Sequence, residues 1–159
     1  MYHLPQETMD IITGFLDNNL HPHFAIEVFG YSPQYSVKID AMMDTGFSGF
    51  LSLPLANCFQ SGLILLSTAT YILADGKPSN TLLCLGTVKA DDDNKITRSA
   101  IGAISVSFNN PAALLGVEFL NRINGKLVLD LPNKRTWIEI PSAKLVTKQA
   151  TKPQETKNV

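Results

Sequence analysis

The residue best placed for chemistry is Asp44. It stands in the stretch Ala41-Met42-Met43-Asp44-Thr45-Gly46-Phe47-Ser48-Gly49-Phe50-Leu51-Ser52-Leu53-Pro54, where an apolar strand runs into one acid and the chain then turns through small residues. Carboxylates are rarely buried unpaired, because removing the charge from water is costly or forces a large pKa shift. An acid in this setting is either a turn former, since Asp and Gly both favour turns, or has a functional reason to be there. Other chemistry-bearing groups have weaker claims. His21-Pro22-His23 places two imidazoles two residues apart, a spacing that can ligate a metal, but no Cys or further His cluster lies near to complete a site. That stretch is expected to be a solvated loop. Asp91-Asp92-Asp93-Asn94 has the acids of a calcium loop without its Gly and closing Glu, and is expected to be a solvated turn. Cys58 falls in an apolar helical stretch, as a small filler rather than a reactive thiol. None of these implies a metal or a cofactor.

The bulk properties set the frame in which Asp44 must work. A chain of 159 residues suits one domain with its own core. Hydrophobic residues make up 45% and charged residues 17%, an ordinary globular composition. The formal net charge of -1 gives no electrostatic case for nucleic acid or an anionic membrane. No apolar run reaches the length of a membrane span. The first residues lack a basic region followed by an apolar block, so they do not read as a secretory signal. With Cys58 and Cys84 as the only cysteines, no disulfide framework is implied, and a cytoplasmic setting is expected.

The elements that must hold Asp44 can be read in order. Residues 1–9 are a lead-in, the domain is expected over 10–142, and 143–159 read as a disordered, polar tail. Asp10 to Leu16 is a β-prone run closed by Asp17-Asn18-Asn19. Phe24 to Gly30 and Tyr35 to Ala41 alternate and are predicted to form a hairpin around Tyr31-Ser32-Pro33-Gln34, its second strand delivering the chain to Asp44. Pro54 suits a helix start, Leu55 to Ser61 the helix and Gly62 its C′ position. Thr68 to Leu73 and Thr81 to Ala90 form a second predicted hairpin, with Asp75-Gly76 at its tip. Lys95 to Ser99 and Ile101 to Phe108 read as strand, with Ile101, Ala103 and Phe108 toward the core. Ala112 to Leu120 begins as a buried strand and continues as a helix to about Ile123, stopped by Asn124-Gly125. A last hairpin joins Lys126–Leu131 to Thr136–Ile140. The pattern of about eight or nine short strands with one or two short helices predicts an all-β domain, a small closed β-barrel.

Four features in this order resemble a retropepsin-like aspartic protease, the retroviral-type single-domain family, and the small prokaryotic members of that clan in particular. They are the strand into Asp44-Thr45-Gly46, the strand Phe50-Leu51-Ser52-Leu53-Pro54 leaving it, the hairpin from Tyr71 to Leu83 at the place of a flap, and Ala113-Leu114-Leu115-Gly116 followed by a short helix. The resemblance covers roughly Ile11 to Ile140 and implies an aspartic endopeptidase acting on a peptide or protein substrate. It implies Asp44 as the catalytic acid, Thr45, Gly46, Phe47 and Ser48 as the rest of the active-site loop, and Ala74, Asp75 and Gly76 as the flap tip over the substrate. Leu115 and Gly116 would brace the loop from behind. Such chemistry needs two carboxylates sharing a proton. A chain with one Asp-Thr-Gly must therefore supply the second from another copy, across the two-fold axis of a homodimer.

Two loop positions depart from the family pattern. Phe47 stands where the family usually has Ala or Ser and cannot offer a hydroxyl to the carboxylate. Ser48 stands where retroviral enzymes carry a second Asp that contacts the substrate backbone. The competing expectation is a catalytically inactive module of the same fold that binds a peptide or protein or only dimerises.

Overall fold

In a computed structural model of the chain, residues 8–91 and 97–142 are described. The expected lead-in up to residue 7, the acidic turn from Asp92 to Asn94 and the expected disordered tail 143–159 lie outside them. The elements run β1 (Met9–Thr13), β2 (Phe15–Leu16), β3 (Pro22–Phe29), β4 (Val37–Met43), β5 (Leu51–Pro54), α1 (Leu55–Gln60), β6 (Ile64–Ile72), β7 (Pro78–Asp91), β8 (Thr97–Ser107), β9 (Ala113–Leu115), α2 (Val117–Arg122), β10 (Lys126–Asp130) and β11 (Arg135–Pro141). The domain is all-β with two short helices, as its alternating patterns require.

The β3–β4 hairpin forms because two alternating strands flank a Pro-bearing turn. Pro22, Phe24, Ile26 and Val28 point inward from β3, and Ala41 and Met43 from β4, with Lys38 and Asp40 exposed. The pair is antiparallel with Ile26 opposite Ile39. At the turn, the Ser32 hydroxyl accepts the Gln34 N–H, and Pro33–Tyr35 make one 3-10 turn, which removes Tyr35 from the strand.

One sheet runs β2-β3-β4-β9-β5-β8-β7-β6, and a second, smaller one runs β1-β11-β10. A further antiparallel pairing of β3 with β7 brings the larger sheet back on itself, leaving β2 and β6 outside that circuit. Six strands, β3, β4, β9, β5, β8 and β7, thus pair around one circuit, and the three-stranded sheet is separate from it. The central feature is β9. It pairs in parallel with β4, Met43 opposite Leu115, and antiparallel with β5, Leu51 opposite Leu115. The strands entering and leaving the Asp44 loop are thus held apart by β9, and the loop arches over its end.

Phe24, Phe50, Phe119, Ile12, Leu51, Leu53, Ile104, Leu115 and Ile138 are essentially fully buried and form one core. Each such side chain is worth about 1.5–3 kcal/mol of transfer free energy.

The face of β8 differs from the sequence expectation. Ile101, Ala103 and Phe108 are exposed, while Gly102, Ile104 and Val106 face inward. The reason lies at Gly102: a Cβ there would sit 2.5 Å from the Phe50 ring. The strand must present its glycine to make room for that ring, which fixes the opposite set of residues outward. β6 also begins earlier than expected, at Ile64. It is exposed except at Ala69, and its pairing with β7 is interrupted by an irregularity between Leu65 and Ser67.

Candidate active site

The β4 strand ends at Met43, and the next N–H, that of Asp44, leaves the β4–β9 ladder as a bond to the Leu115 carbonyl at 2.9 Å. The chain then turns. The Phe47 N–H donates to the Asp44 carbonyl at 3.1 Å, and the Gly46 N–H donates to Asp44 Oδ1 at 2.9 Å. One carboxylate oxygen is therefore fixed by the loop's own backbone. Asp44 is half-buried, while Thr45, Gly46 and Ser48 are exposed.

The helix after β9 holds the far side of the loop. The Gly116 N–H donates to Phe50 O (3.1 Å), the Val117 N–H to Phe47 O (3.0 Å) and the Glu118 N–H to Gly49 O (3.2 Å). The first N–H groups of a helix have no partner within it, so here the loop carbonyls satisfy those of α2. Contact is close enough that only glycine fits at residue 116, where a Cβ would lie 1.9 Å from Gly49 O. Leu115 and Gly116 thus lie directly against the loop, and glycine at 116 lets backbone meet backbone.

Phe47 is half-buried, and its ring lies over Gly49, where a Cβ would come within 2.5 Å of Cζ. Sequence reasoning marked Phe47 as a departure but missed its dependence on Gly49, which the Phe-Ser-Gly spacing permits but does not announce. It also missed Arg122 and Glu118, whose i, i+4 spacing on α2 was the available signal. Their side chains pair at 2.6 Å.

Ala74, Asp75 and Gly76 form the turn of the β6–β7 hairpin. The Gly76 N–H donates to Leu73 O (2.9 Å) and the Lys77 N–H to Asp75 Oδ1 (3.0 Å), and Gly76 takes φ +79°, which favours glycine. All three residues are exposed. Among the described residues no hydrogen bond, ion pair or ring contact joins this turn to the Asp44 loop.

The His21-Pro22-His23 stretch is not a solvated loop. Pro22 is buried at the start of β3, and His23 is half-buried, stacked on Phe15 with ring centroids 5.0 Å apart. His21 Nδ1 and His23 Nε2 lie 3.3 and 3.2 Å from Asp17 Oδ2. Bonds from the His21 N–H, then the His23 ring and the Asn19 N–H, outweigh partial desolvation and hold the Asp17 carboxyl down at about 2. Among the described residues no group of three or more His, Cys, Asp or Glu side chains is arranged to hold a metal ion. Both cysteines are free and buried. Burial, reinforced by the neighbouring Cys84, pushes the Cys58 thiol up to about 11, as an inert core residue requires. A cleft of about 220 Å³ on the β3–β4 surface is lined by Glu27, Lys38, Asp40 and Lys89 among others, and none of its lining residues comes from the Asp44 loop. No helix among the described residues is long and apolar enough to cross a membrane.

The chain as a whole is similar in fold to a solved structure. The crystal structure of a retropepsin-like aspartic protease from Rickettsia conorii superimposes with a TM-score of 0.59. The fold is retropepsin-like. The match covers 90% of this chain and 100% of that one at 19% sequence identity, so the likeness is one of fold. No protein-family model and no curated protein sequence matches the chain. Within this fold Asp44 follows the end of β4, and β9 separates the two supports of its loop.

Proposed function

We propose that the chain is an aspartic-type endopeptidase whose site is completed by a second copy, two Asp44 carboxylates meeting across a two-fold axis. The observation that carries this is the fixed, half-buried Asp44, held by Leu115 O through its N–H and by the Gly46 N–H at its carboxylate. Two carboxylates that close cannot both stay charged, so the pair shares one proton. The ionised Asp44 takes a proton from a water as its oxygen attacks the scissile carbonyl, and the protonated one donates to the carbonyl oxygen. The tetrahedral intermediate then collapses as the amide nitrogen gains a proton and the C–N bond breaks. In this reading Thr45 locks the two loops together and Gly46 lets the substrate approach. Ala74, Asp75 and Gly76 close over a peptide bound as an extended strand. The unpaired thiols suit a reducing, cytoplasmic setting.

Incubation with a diverse peptide library, with and without a statine-type transition-state analogue, tests the reaction. Asp44→Asn is expected to abolish cleavage while leaving a folded dimer by sedimentation; full activity in that variant would sink the reading. A second reading, a peptide-binding or dimerising module without hydrolysis, is favoured by one observation: Phe47 brings a half-buried ring where a hydroxyl could have bonded the acid. Binding of the analogue by a wild-type protein that cleaves nothing would select it.

A further inference from the structure

We propose that Arg122 is a positioning residue for Asp44, acting through Phe50 and α2 to set the seat of the active-site loop. This rests on the reading of Asp44 as the catalytic acid. Arg122 stands in the last turn of α2 and its guanidinium makes contacts to three different elements. Nη1 donates to the Ile101 carbonyl of β8 at 2.7 Å. Nε and Nη2 both donate to Glu118 Oε1, at 3.0 and 2.6 Å. The plane lies over the Phe50 ring, 5.6 Å from its centroid.

Each contact leads to the loop. Phe50 is its last residue, packed edge-on against Phe119 of α2 at 5.8 Å, with its carbonyl accepting the Gly116 N–H. Glu118 sends its own N–H to Gly49 O while its side chain holds Arg122. Ile101 neighbours Gly102, the residue that makes room for the Phe50 ring. A helix of six residues has too few internal bonds to fix its own orientation. The aim of the Val117 and Glu118 N–H groups at Phe47 O and Gly49 O therefore depends on what pins its other end. Arg122 pins it to β8, and a planar fork with several donors does this where a lysine's single ammonium cannot. Asp44 is bonded to the same unit through Leu115 O and Phe47 N. A turn of α2 about its axis would move the loop and the acid together.

The test compares Arg122→Leu and Arg122→Lys with the full-length wild type by amide hydrogen exchange and by steady-state cleavage of the best library peptide. In the leucine variant, exchange at Gly46, Phe47, Val117 and Glu118 is expected to rise about tenfold, as loss of charge-assisted bonds loosens one unit, while Ile12, Leu127 and Ile138 keep wild-type rates. The lysine variant is expected to fall between. Cleavage is expected to show a lower kcat at an unchanged KM, since an ill-seated acid costs the chemical step more than binding. Unchanged exchange at the loop, uniform acceleration across the sheet, or an unchanged kcat alongside a loosened loop would each overturn the proposal. If the wild type cleaves no peptide, the endopeptidase reading fails, and the exchange pattern still decides whether Arg122 seats the loop.

Discussion

The sharpest test of the loop's architecture is Gly116→Ala. Gly116 has φ -98° and ψ 174°, extended backbone open to any residue, so the substitution brings no conformational penalty of its own. Its cost is steric. The new methyl would lie 1.9 Å from Gly49 O and 2.7 Å from Phe47 O, both backbone atoms. Ordinary carbon–oxygen contacts begin near ~3.3 Å, so the loop and α2 must separate by roughly 1.4 Å. That separation breaks the bonds from Val117 to Phe47 and from Glu118 to Gly49, now 3.0 and 3.2 Å long. Two lost bonds cost about 1 kcal/mol each, and overpacking adds about 1–3 kcal/mol. The sum, about 3–5 kcal/mol, is a large part of the ~5–15 kcal/mol that holds a domain folded. Urea unfolding followed by circular dichroism should show the midpoint falling by about 1–5 M for slopes of about 1–3 kcal/mol/M. Gly76→Ala is the matched control. It sits at φ +79° with nothing within 4 Å of its Cβ position, so it pays conformational strain alone, about 1–2 kcal/mol. A Gly116→Ala protein within about 1 kcal/mol of wild type, or no less stable than Gly76→Ala, would refute the close backbone seating of the loop.

Two further outcomes follow from other contacts. Gly49→Ala should destabilise through its clash with the Phe47 ring, and the same change in a Phe47→Ala background should be cheaper by about 1–2 kcal/mol; additive effects in a four-protein urea cycle would show that ring and glycine are independent. Asp17 has its folded pKa held at about 2, below the ordinary 3.8, so its stabilising effect is present above 3.8 and is lost as pH falls through about 2. The stability gap between wild type and Asp17→Asn should therefore close across that interval, and a gap constant from pH 5 to pH 2 would count against the bonds drawn to its carboxylate.

Much of the scaffold was readable because local signals agreed. The β3–β4 hairpin had alternation on both sides of a Pro-bearing turn, α1 had Pro54 before it and Gly62 (φ +60°) after it, and Asn124 stops α2 with its own positive φ. Asp44 stood out because it interrupts an apolar strand. What was not readable depends on partners distant in sequence. β8 carries apolar residues on both faces, and only the ring of Phe50 decides that Gly102 turns inward. Pro22 looked like a loop residue until its place on the buried face of β3 was known. Arg122 offers only its spacing from Glu118 as a local signal, and such exposed helix pairs are usually worth little; nothing local reveals that Ile101 and Phe50 lie beneath it.

The insertion of β9 between β4 and β5 also dictates when the site can exist. The Asp44 loop is synthesised before Ala113–Leu115, which pair with β4 and β5 on either side of it, and before the donors of Val117 and Glu118, which come some seventy residues later. Until that strand slides in, β4 and β5 have no mutual pairing to hold them, and a nascent chain carries its acid on an unformed loop. Pairings this distant in sequence are slow to close. The loop therefore takes its shape only once β9 and α2 are in place, and a fragment ending before residue 113 would carry Asp44 without a seat.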